Sequence, residues 1–116
     1  FDSSSWLANN TANVPALVIP RTRGRPQADW PAFKVAAHFG SIFPAIWSFQ
    51  LALRSRGLGS TITTLHLNEE RRAAELLGIP ADMMQVALLP VAYTKGTDFK
   101  RAARAPASEV THWNRW

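Results

Sequence analysis

One segment limits the possible folds of this chain more than any other, a helix predicted over Ser41–Arg56. Its apolar residues recur at three- and four-residue steps, which is the helical period. They are Ile42, Ala45, Ile46, Phe49, Ala52 and Leu53, and Trp47 and Leu51 add a second apolar face. A helix that is apolar around so much of its circumference is buried on most sides, either by its own domain or by a partner subunit.

Both ends of this helix carry sequence signals. Ser41 suits the N-cap position, and Pro44 falls in the first turn, where proline is tolerated. Arg54 and Arg56 place positive charge near the C-terminus, which offsets the helix dipole. Gly57 can then adopt the left-handed conformation that ends many helices.

The other predicted elements are shorter. They are a helix around Trp6, a strand buried on both faces over 14–20, a loop over 21–31, a strand over 60–65, a helix over 69–77 capped by Asn68 and ended by Gly78, a buried strand over 85–93, a basic loop over 94–104 and a tail. Buried strands that alternate with helices indicate a mixed α and β architecture. About three strands and two main helices make a thin core, so we expect residues 1–116 to form a partial domain that needs a further part or a partner chain.

Size and composition set further limits. The 116 residues suffice for one small domain, and a hydrophobic content of 47% fits a globular protein. The absence of cysteine is compatible with a reducing cytoplasm, where we expect the protein to act. The longest apolar runs are far shorter than a membrane span, so we expect no membrane partner. Because the sequence begins at Phe1 and not at methionine, we expect a processed or truncated product.

The net charge of +5 comes mainly from two basic clusters, Arg21–Arg25 and Lys95–Arg104. Such a balance fits nucleic acid, an acidic surface or a phosphate-bearing cofactor. Both clusters lie in loops that contain proline or glycine, and charge runs of this kind are usually solvated. We expect no nucleic-acid partner, because the sequence has no known binding motif and does not interleave aromatic and basic residues on one face.

No recognisable catalytic motif appears in the sequence. His38, His66 and His112 are widely spaced and there is no cysteine, so we expect no metal site. The acidic residues form no general acid/base pair, and no nucleophile elbow, phosphate-binding loop or dinucleotide fingerprint is present. These gaps do not exclude an enzyme whose chemistry is carried by a cofactor.

An ordered set of segments resembles the nitroreductase family. The helix and turn over 41–60, which end in Gly57-Leu58-Gly59, look like the long central helix and Gly-Leu-Gly turn of that family. Further segments follow in the family's order: Thr63-Thr64-Leu65, the run 75–80, the run 86–93, Arg104-Ala105-Pro106 and the tail 112–116. The resemblance covers residues 14–116. No single motif is specific, but the ordered set at matching spacings is.

The resemblance implies the C-terminal half of an α+β sandwich fold that binds FMN at the interface of an intertwined homodimer. It implies an oxidoreductase that takes electrons from NAD(P)H and passes them to a nitroaromatic, quinone or similar small-molecule acceptor. Ile62, Thr63, Thr64 and Leu65 align with the stretch that lies against the flavin ring, with a donor near its N5 atom. Arg104 aligns with a basic residue at the FMN phosphate, and Arg101 assists it.

The chain also departs from the family pattern. The N-terminal half, which supplies most of the phosphate site, is not present, so we expect the chain alone to bind FMN weakly or not at all and to be inactive. Many members have Gln-Asn in the central helix where this chain has Trp47-Ser48, which indicates a more apolar face. The resemblance also places Trp113 and Trp116 on a partner subunit, and Trp30 is a candidate for the substrate pocket.

Simpler interpretations of the same residues stay open. Gly57-Leu58-Gly59 also fits an ordinary helix end and turn, Thr63-Thr64 an ordinary strand, and Arg104 a solvated loop charge. At the level of function, the alternatives are a non-catalytic fragment or interaction module that does not bind FMN alone, and a basic module that binds nucleic acid. The sequence names neither the electron acceptor nor the preferred nicotinamide.

Overall fold

The computed structural model describes residues 3–96 and 98–116. The helices are α1 (Ser3–Asn10), α2 (Ala32–Arg54) and α3 (Glu70–Leu77). The strands are β1 (Ala16–Val18), β2 (Arg21–Arg23), β3 (Leu58–Ser60), β4 (Met83–Gln85) and β5 (Leu89–Tyr93). Short 3₁₀ turns cover Thr11–Asn13, Leu65–Glu69 and Ala107–Glu109. The fold is α+β, as predicted.

Helix α2 dominates the structure and is longer than the sequence pattern predicted. It begins at Ala32, after Pro31, so the predicted start at Ser41 is wrong. The Ser41 hydroxyl instead donates a hydrogen bond to the His38 carbonyl inside the helix. Pro44 therefore lies within the helix and not in its first turn. The earlier start follows from Val35 and Phe39, which extend the inward face by two more turns.

The strands form two small antiparallel sheets. The larger has the order β1-β5-β3, with Leu17 opposite Pro90 and Gly59 opposite Ala92. The smaller pairs β2 with β4, so part of the predicted loop 21–31 is a strand. Strand β1 is exposed at Ala16 and Leu17, so the prediction that it is buried on both faces is wrong. It lies at a sheet edge, where one side of the strand has no neighbouring strand in the described residues.

The predicted strand over 85–93 is divided in two. Its first residue belongs to β4 and its last five to β5, while residues 86–88 cross from one sheet to the other. The burial predicted for this segment is confirmed, because Val86, Ala87 and Leu89 are at most 2% exposed. The predicted strand over 60–65 is also shifted, since β3 ends at Ser60.

Two glycines end helices as predicted. Gly57 has φ of 74° after α2, and Gly78 has φ of 62° after α3. The predicted Asn68 cap of α3 is wrong, because that helix begins one residue later than predicted and Glu69 occupies the cap position without a side-chain hydrogen bond.

The core is small for the length of the chain. Ile46 of α2 packs with Ala87 and Leu89, and Val18 and Ile42 lie against this cluster. The radius of gyration is 17.4 Å, against about 13 Å expected for a compact domain of this length. Residues 98–116 are all exposed. No helix in the described ranges is both long and apolar enough to span a bilayer.

Candidate functional site

The segment that follows β3, residues 61–66, forms one wall of the candidate site. The Thr63 N–H donates to the Leu88 carbonyl at 3.0 Å, and the Leu88 N–H donates to the Thr63 carbonyl at 2.8 Å. This isolated antiparallel bridge uses both main-chain groups of Thr63. It fixes the segment to the buried crossing between the two sheets.

The bridge leaves the neighbouring amides available. The N–H groups of Ile62 and Thr64 have no hydrogen-bond partner among the residues that the structure describes. The predicted flavin-facing segment therefore has two main-chain donors that its anchor does not use.

An open cavity of about 610 Å³ lies beside this segment. Its lining consists of Ser4, Leu7, Ala8, Thr11, Thr61, Ile62, Thr63, Thr64, Leu65, His66 and Leu88. The volume falls within the range typical of small-molecule sites. The lining is mostly apolar, with hydroxyl groups between the hydrocarbon side chains, and His66 is the only ionisable residue among the described residues that line it.

The opposite wall of the cavity comes from α1, which the sequence analysis did not connect with the site. Leu7, Ala8 and Thr11 lie on one face because they are spaced by one turn of helix. The Thr11 hydroxyl donates to the Leu7 carbonyl at 2.7 Å and continues the helical turn. The helical spacing was a usable signal, but no sequence pattern showed that this face meets residues 61–66.

The sequence analysis also missed His66 as a residue of the cavity, because it considered His66 only as a metal ligand. Its ring is half-buried, and both ring nitrogens are buried without a hydrogen bond of normal geometry to any described residue. Burial lowers the pKa of His66 below its usual 6.5, although Glu70 and the nearby Gln85 amide oppose this in part. The ring is therefore neutral at pH 7.

Gln85 lies behind the segment and is fully buried. Its side-chain amide donates to the Glu70 carbonyl at 2.9 Å, and its backbone N–H donates to the Glu70 carboxylate at 3.0 Å. Its Oε1 atom is buried and accepts no hydrogen bond from the described residues. A buried polar atom left in this state costs about 1–3 kcal/mol.

Glu70 is held in turn by Arg25. Two hydrogen bonds of 2.8 and 3.0 Å join the guanidinium to the carboxylate, and Arg25 also donates to the Met83 carbonyl at 3.1 Å. The hydrogen bond from Arg25 lowers the pKa of Glu70, and that of Arg25 is raised in return. Hydrogen bonds thus connect Arg25 at the surface, through Glu70, to the buried Gln85. These three residues form the network beneath the cavity wall.

The Gly57-Leu58-Gly59 turn brings α2 and the cavity wall together. The Gln50 amide of α2 donates to the Ser60 hydroxyl at 3.0 Å and ties the helix to the end of β3. A Cβ atom on Gly59 would lie 2.5 Å from the Thr94 methyl group. The second glycine of the turn therefore allows a close approach between chain segments, and Gln50 is the polar contact of α2 that we did not anticipate.

The structure does not bring the predicted phosphate residues to this cavity. Arg101 and Arg104 lie in the exposed tail, and the Arg104 guanidinium donates to the carbonyl of Ala103 at 2.9 Å. Neither lines the cavity beside residues 61–66. Trp30 also lies elsewhere, with Lys34 4.1 Å above its ring and the His38 ring 5.7 Å away. Their functional roles stay predictions.

The geometry fits the ring of a flavin better than its phosphate. Free main-chain donors at Ile62 and Thr64 suit the electron-rich nitrogen edge of such a ring, and the apolar lining suits its flat faces. The lining contains no Lys or Arg side chain that would offset a phosphate. The described residues thus provide one wall of a ring pocket, and the phosphate needs groups outside it.

Comparisons with known proteins indicate the family and the fold of the chain. The model of the nitroreductase family matches residues 3–93. No curated protein matches the chain significantly in sequence. A nitroreductase-like family protein from Bacillus cereus superposes with a TM-score of 0.68 at 20% identity, over 97% of this chain and 61% of that one.

Two further solved structures share the fold. A BluB-like flavoprotein from Clostridium difficile 630 gives a TM-score of 0.69 at 18% identity, over 97% of this chain and 61% of that one. A nitroreductase family protein from Streptococcus pneumoniae TIGR4 gives 0.55 at 21% identity, over 75% and 42%. The chain therefore spans about three fifths of the length of the first two structures.

Proposed function

This chain belongs to the nitroreductase family, and we propose that it is the C-terminal part of an FMN-dependent oxidoreductase. The enzyme takes electrons from NAD(P)H and passes them to a nitroaromatic, a quinone or a similar acceptor. The observation that carries the proposal is the open, mostly apolar cavity that residues 61–66 line, in the segment that aligns with the family's ring contact. The absence of cysteine favours the cytoplasm as its location.

The residues of this chain have distinct tasks in the proposal. The Ile62 and Thr64 amides donate to the ring edge, and the bridge from Thr63 to Leu88 holds both amides in place. Leu7, Leu65 and Leu88 exclude water from the ring. When bound, the flavin supplies the redox chemistry, accepting a hydride and delivering two electrons.

Arg104 and Arg101 are the proposed phosphate ligands. Both side chains are exposed, and a guanidinium can bind two phosphate oxygens at once. Because neither lines the cavity, this role requires the exposed tail to pack against a surface that other parts of the enzyme provide. Trp113 and Trp116, at 82% and 98% exposed, are the proposed anchors of the tail on that surface.

A second copy of the chain is the proposed partner, and α2 offers the surface for it. The outer side of α2 carries an apolar stripe, which consists of Phe33, Ala37, Gly40, Pro44, Trp47 and Leu51. These residues alternate in steps of four and three, the spacing of a helix–helix seam, and all of them are exposed. The small residues at the centre allow a second helix to approach closely.

The proposed function is tested with the full-length gene product that carries this chain. We expect the purified protein to be yellow, to hold FMN and to oxidise NAD(P)H when an acceptor is added. Arg104→Ala should weaken FMN binding by about 10- to 100-fold through loss of a charged hydrogen bond. Arg72→Ala, on the exposed side of α3, is the control and should leave binding unchanged.

A colourless protein that does not take up added FMN would exclude the proposal. That result would favour the alternative, a non-catalytic member of the family that serves as an interaction module. The exposed tail and the uncharged cavity are the observations that favour this alternative. Equal FMN affinity in the Arg104 and Arg72 variants would exclude only the phosphate role of Arg104.

A further inference from the structure

The network beneath the cavity wall lacks one connection. The Arg25 guanidinium, the Glu70 carboxylate and the side-chain nitrogen of Gln85 all take part in hydrogen bonds. The Oε1 atom of Gln85 has no partner among the described residues. His66, on the cavity side, has two buried ring nitrogens without a partner among the described residues. One unused donor of the neutral His66 ring and one unused acceptor of the nearby Gln85 amide therefore lie buried at the boundary between the network and the cavity.

We propose that His66 is a positioning residue, whose ring N–H donates to Gln85 Oε1 and so joins the segment 62–65 to the buried network. This inference rests on the proposed function, since it names what holds the flavin-facing segment. His66 directly follows Leu65, so a hydrogen bond that fixes its ring also restrains the main chain at the cavity wall.

Several features favour this role over simple packing. A ring buried only for its apolar surface would be replaced without loss by leucine, and it would not need a neighbour with an unused acceptor. The Gln85 amide cannot turn away, because its nitrogen and its backbone N–H are both bound to Glu70. Glu70 is fixed by Arg25, so the acceptor offered to His66 has a defined position.

The charged groups around His66 determine how the link depends on pH. The carboxylate of Glu70, from α3, acts on the ring and favours its protonated form, and Arg25 offsets that charge from the loop after β2. Burial acts more strongly and keeps the ring neutral, so that it has one donor for one acceptor. Protonation in acid makes both ring nitrogens donors, and neither nitrogen has a hydrogen-bond partner among the described residues.

The test uses the full-length gene product with His66→Leu and His66→Gln. His38→Leu is the matched control, since His38 is also half-buried but bonds to Thr22 and does not line the cavity. Two quantities are measured: hydrogen exchange of the Thr63 amide, which in segment 61–65 is the one that the Leu88 carbonyl protects, in the protein without cofactor, and the dissociation constant of FMN above and below pH 6.5.

We expect His66→Leu to raise amide exchange and to weaken FMN binding by about tenfold each, the effect of one lost hydrogen bond. His66→Gln should restore both to within about threefold, because its amide can donate to Gln85 Oε1. Wild-type affinity should fall more steeply than that of the His66→Gln variant as pH drops below 6.5, because the two share the phosphate ionisation of FMN but only wild type can protonate His66. His38→Leu should leave the exchange of the Thr63 amide unchanged.

Two outcomes would overturn the inference. One is amide exchange in His66→Leu that stays within about twofold of wild type, and the other is a His66→Gln variant as impaired as His66→Leu. If His66→Leu does not fold, the role of His66 is tested by comparing the pH dependence of FMN affinity in His66→Gln with that in wild type. If the wild-type protein binds no FMN, the proposed function fails, but amide exchange still tests the role of His66.

Discussion

Arg25 and Glu70 are separated by 45 residues in sequence, yet their side chains form two hydrogen bonds of 2.8 and 3.0 Å. Arg25 lies just after β2, and Glu70 begins α3. The pair therefore joins the smaller sheet to the helix that follows the candidate site. Since Glu70 also accepts the Gln85 N–H, the pair positions the buried side of the cavity wall.

The first prediction concerns the pH dependence of stability. Replacing Glu70 by glutamine should lower the free energy of unfolding at pH 7 by about 1–2 kcal/mol, a modest value because the Arg25 side chain is 41% exposed. The pKa of Glu70 is lowered in the folded state, so its contribution is present above the unfolded value of 4.5 and is lost as pH falls through the folded value. Urea unfolding at several pH values measures this.

Glu75→Gln is the control for that experiment, because Glu75 is exposed and lies on the same helix. We expect the difference between wild type and Glu70→Gln to shrink below pH 4.5, while Glu75→Gln changes little at any pH. A constant difference between wild type and Glu70→Gln across the acid range would show that the carboxylate charge does not stabilise the fold.

The close approach at Gly59 leads to a second prediction. Gly59→Ala places a methyl group against the Thr94 side chain and should destabilise the protein by about 1–3 kcal/mol through overpacking. Thr94→Ser removes the methyl group that is contacted, so the double variant should regain much of the loss. Thermal unfolding of the two single variants and the double variant gives the coupling free energy between positions 59 and 94. Additive losses would contradict this account.

The core leads to a third prediction. Leu89 is fully buried in the central strand β5, so Leu89→Ala should cost about 2–5 kcal/mol. Leu76, at 85% exposed, is the matched control, and its replacement by alanine should change stability by less than about 0.5 kcal/mol. Chemical unfolding of both variants measures the contrast. Similar losses in the two would mean that Leu76 is covered by another part of the protein.

The cavity leads to a fourth prediction. Ala8 lines the cavity from α1 and is exposed, so Ala8→Trp should fill the space opposite residues 61–66. We expect FMN affinity to fall by about tenfold or more, since the indole takes volume that the ring needs. Ala12→Trp is the control, because Ala12 is exposed but does not line the cavity. Equal affinity in both variants would place the ring elsewhere.

The outer stripe of α2 leads to a fifth prediction. Trp47 is 61% exposed at the middle of this stripe, and Trp47→Glu should turn a homodimer into a monomer by burying a charge at the seam. Ala45→Glu, on another exposed side of the same helix, should leave the dimer intact. Analytical ultracentrifugation distinguishes the two. A wild-type monomer would mean that another part of the same polypeptide covers the stripe.

The sequence alone determined the family and the local elements. The 3.6-residue spacing of α2 and the glycines that follow α2 and α3 depend on neighbours close in sequence. Such features are readable because side-chain periodicity and backbone preferences act over a few residues. The same signals failed at Ser41, where a good capping residue lies inside a helix that tertiary packing extends.

Only the tertiary structure decided how the site is built. The bridge between Thr63 and Leu88 and the position of α1 across the cavity join segments that are distant in sequence. The network from Arg25 to Gln85 does the same, and it revealed His66 as a candidate residue. Hydrogen bonds and burial across such separations leave no periodic pattern in the sequence, because they depend on where the chain crosses between its two sheets.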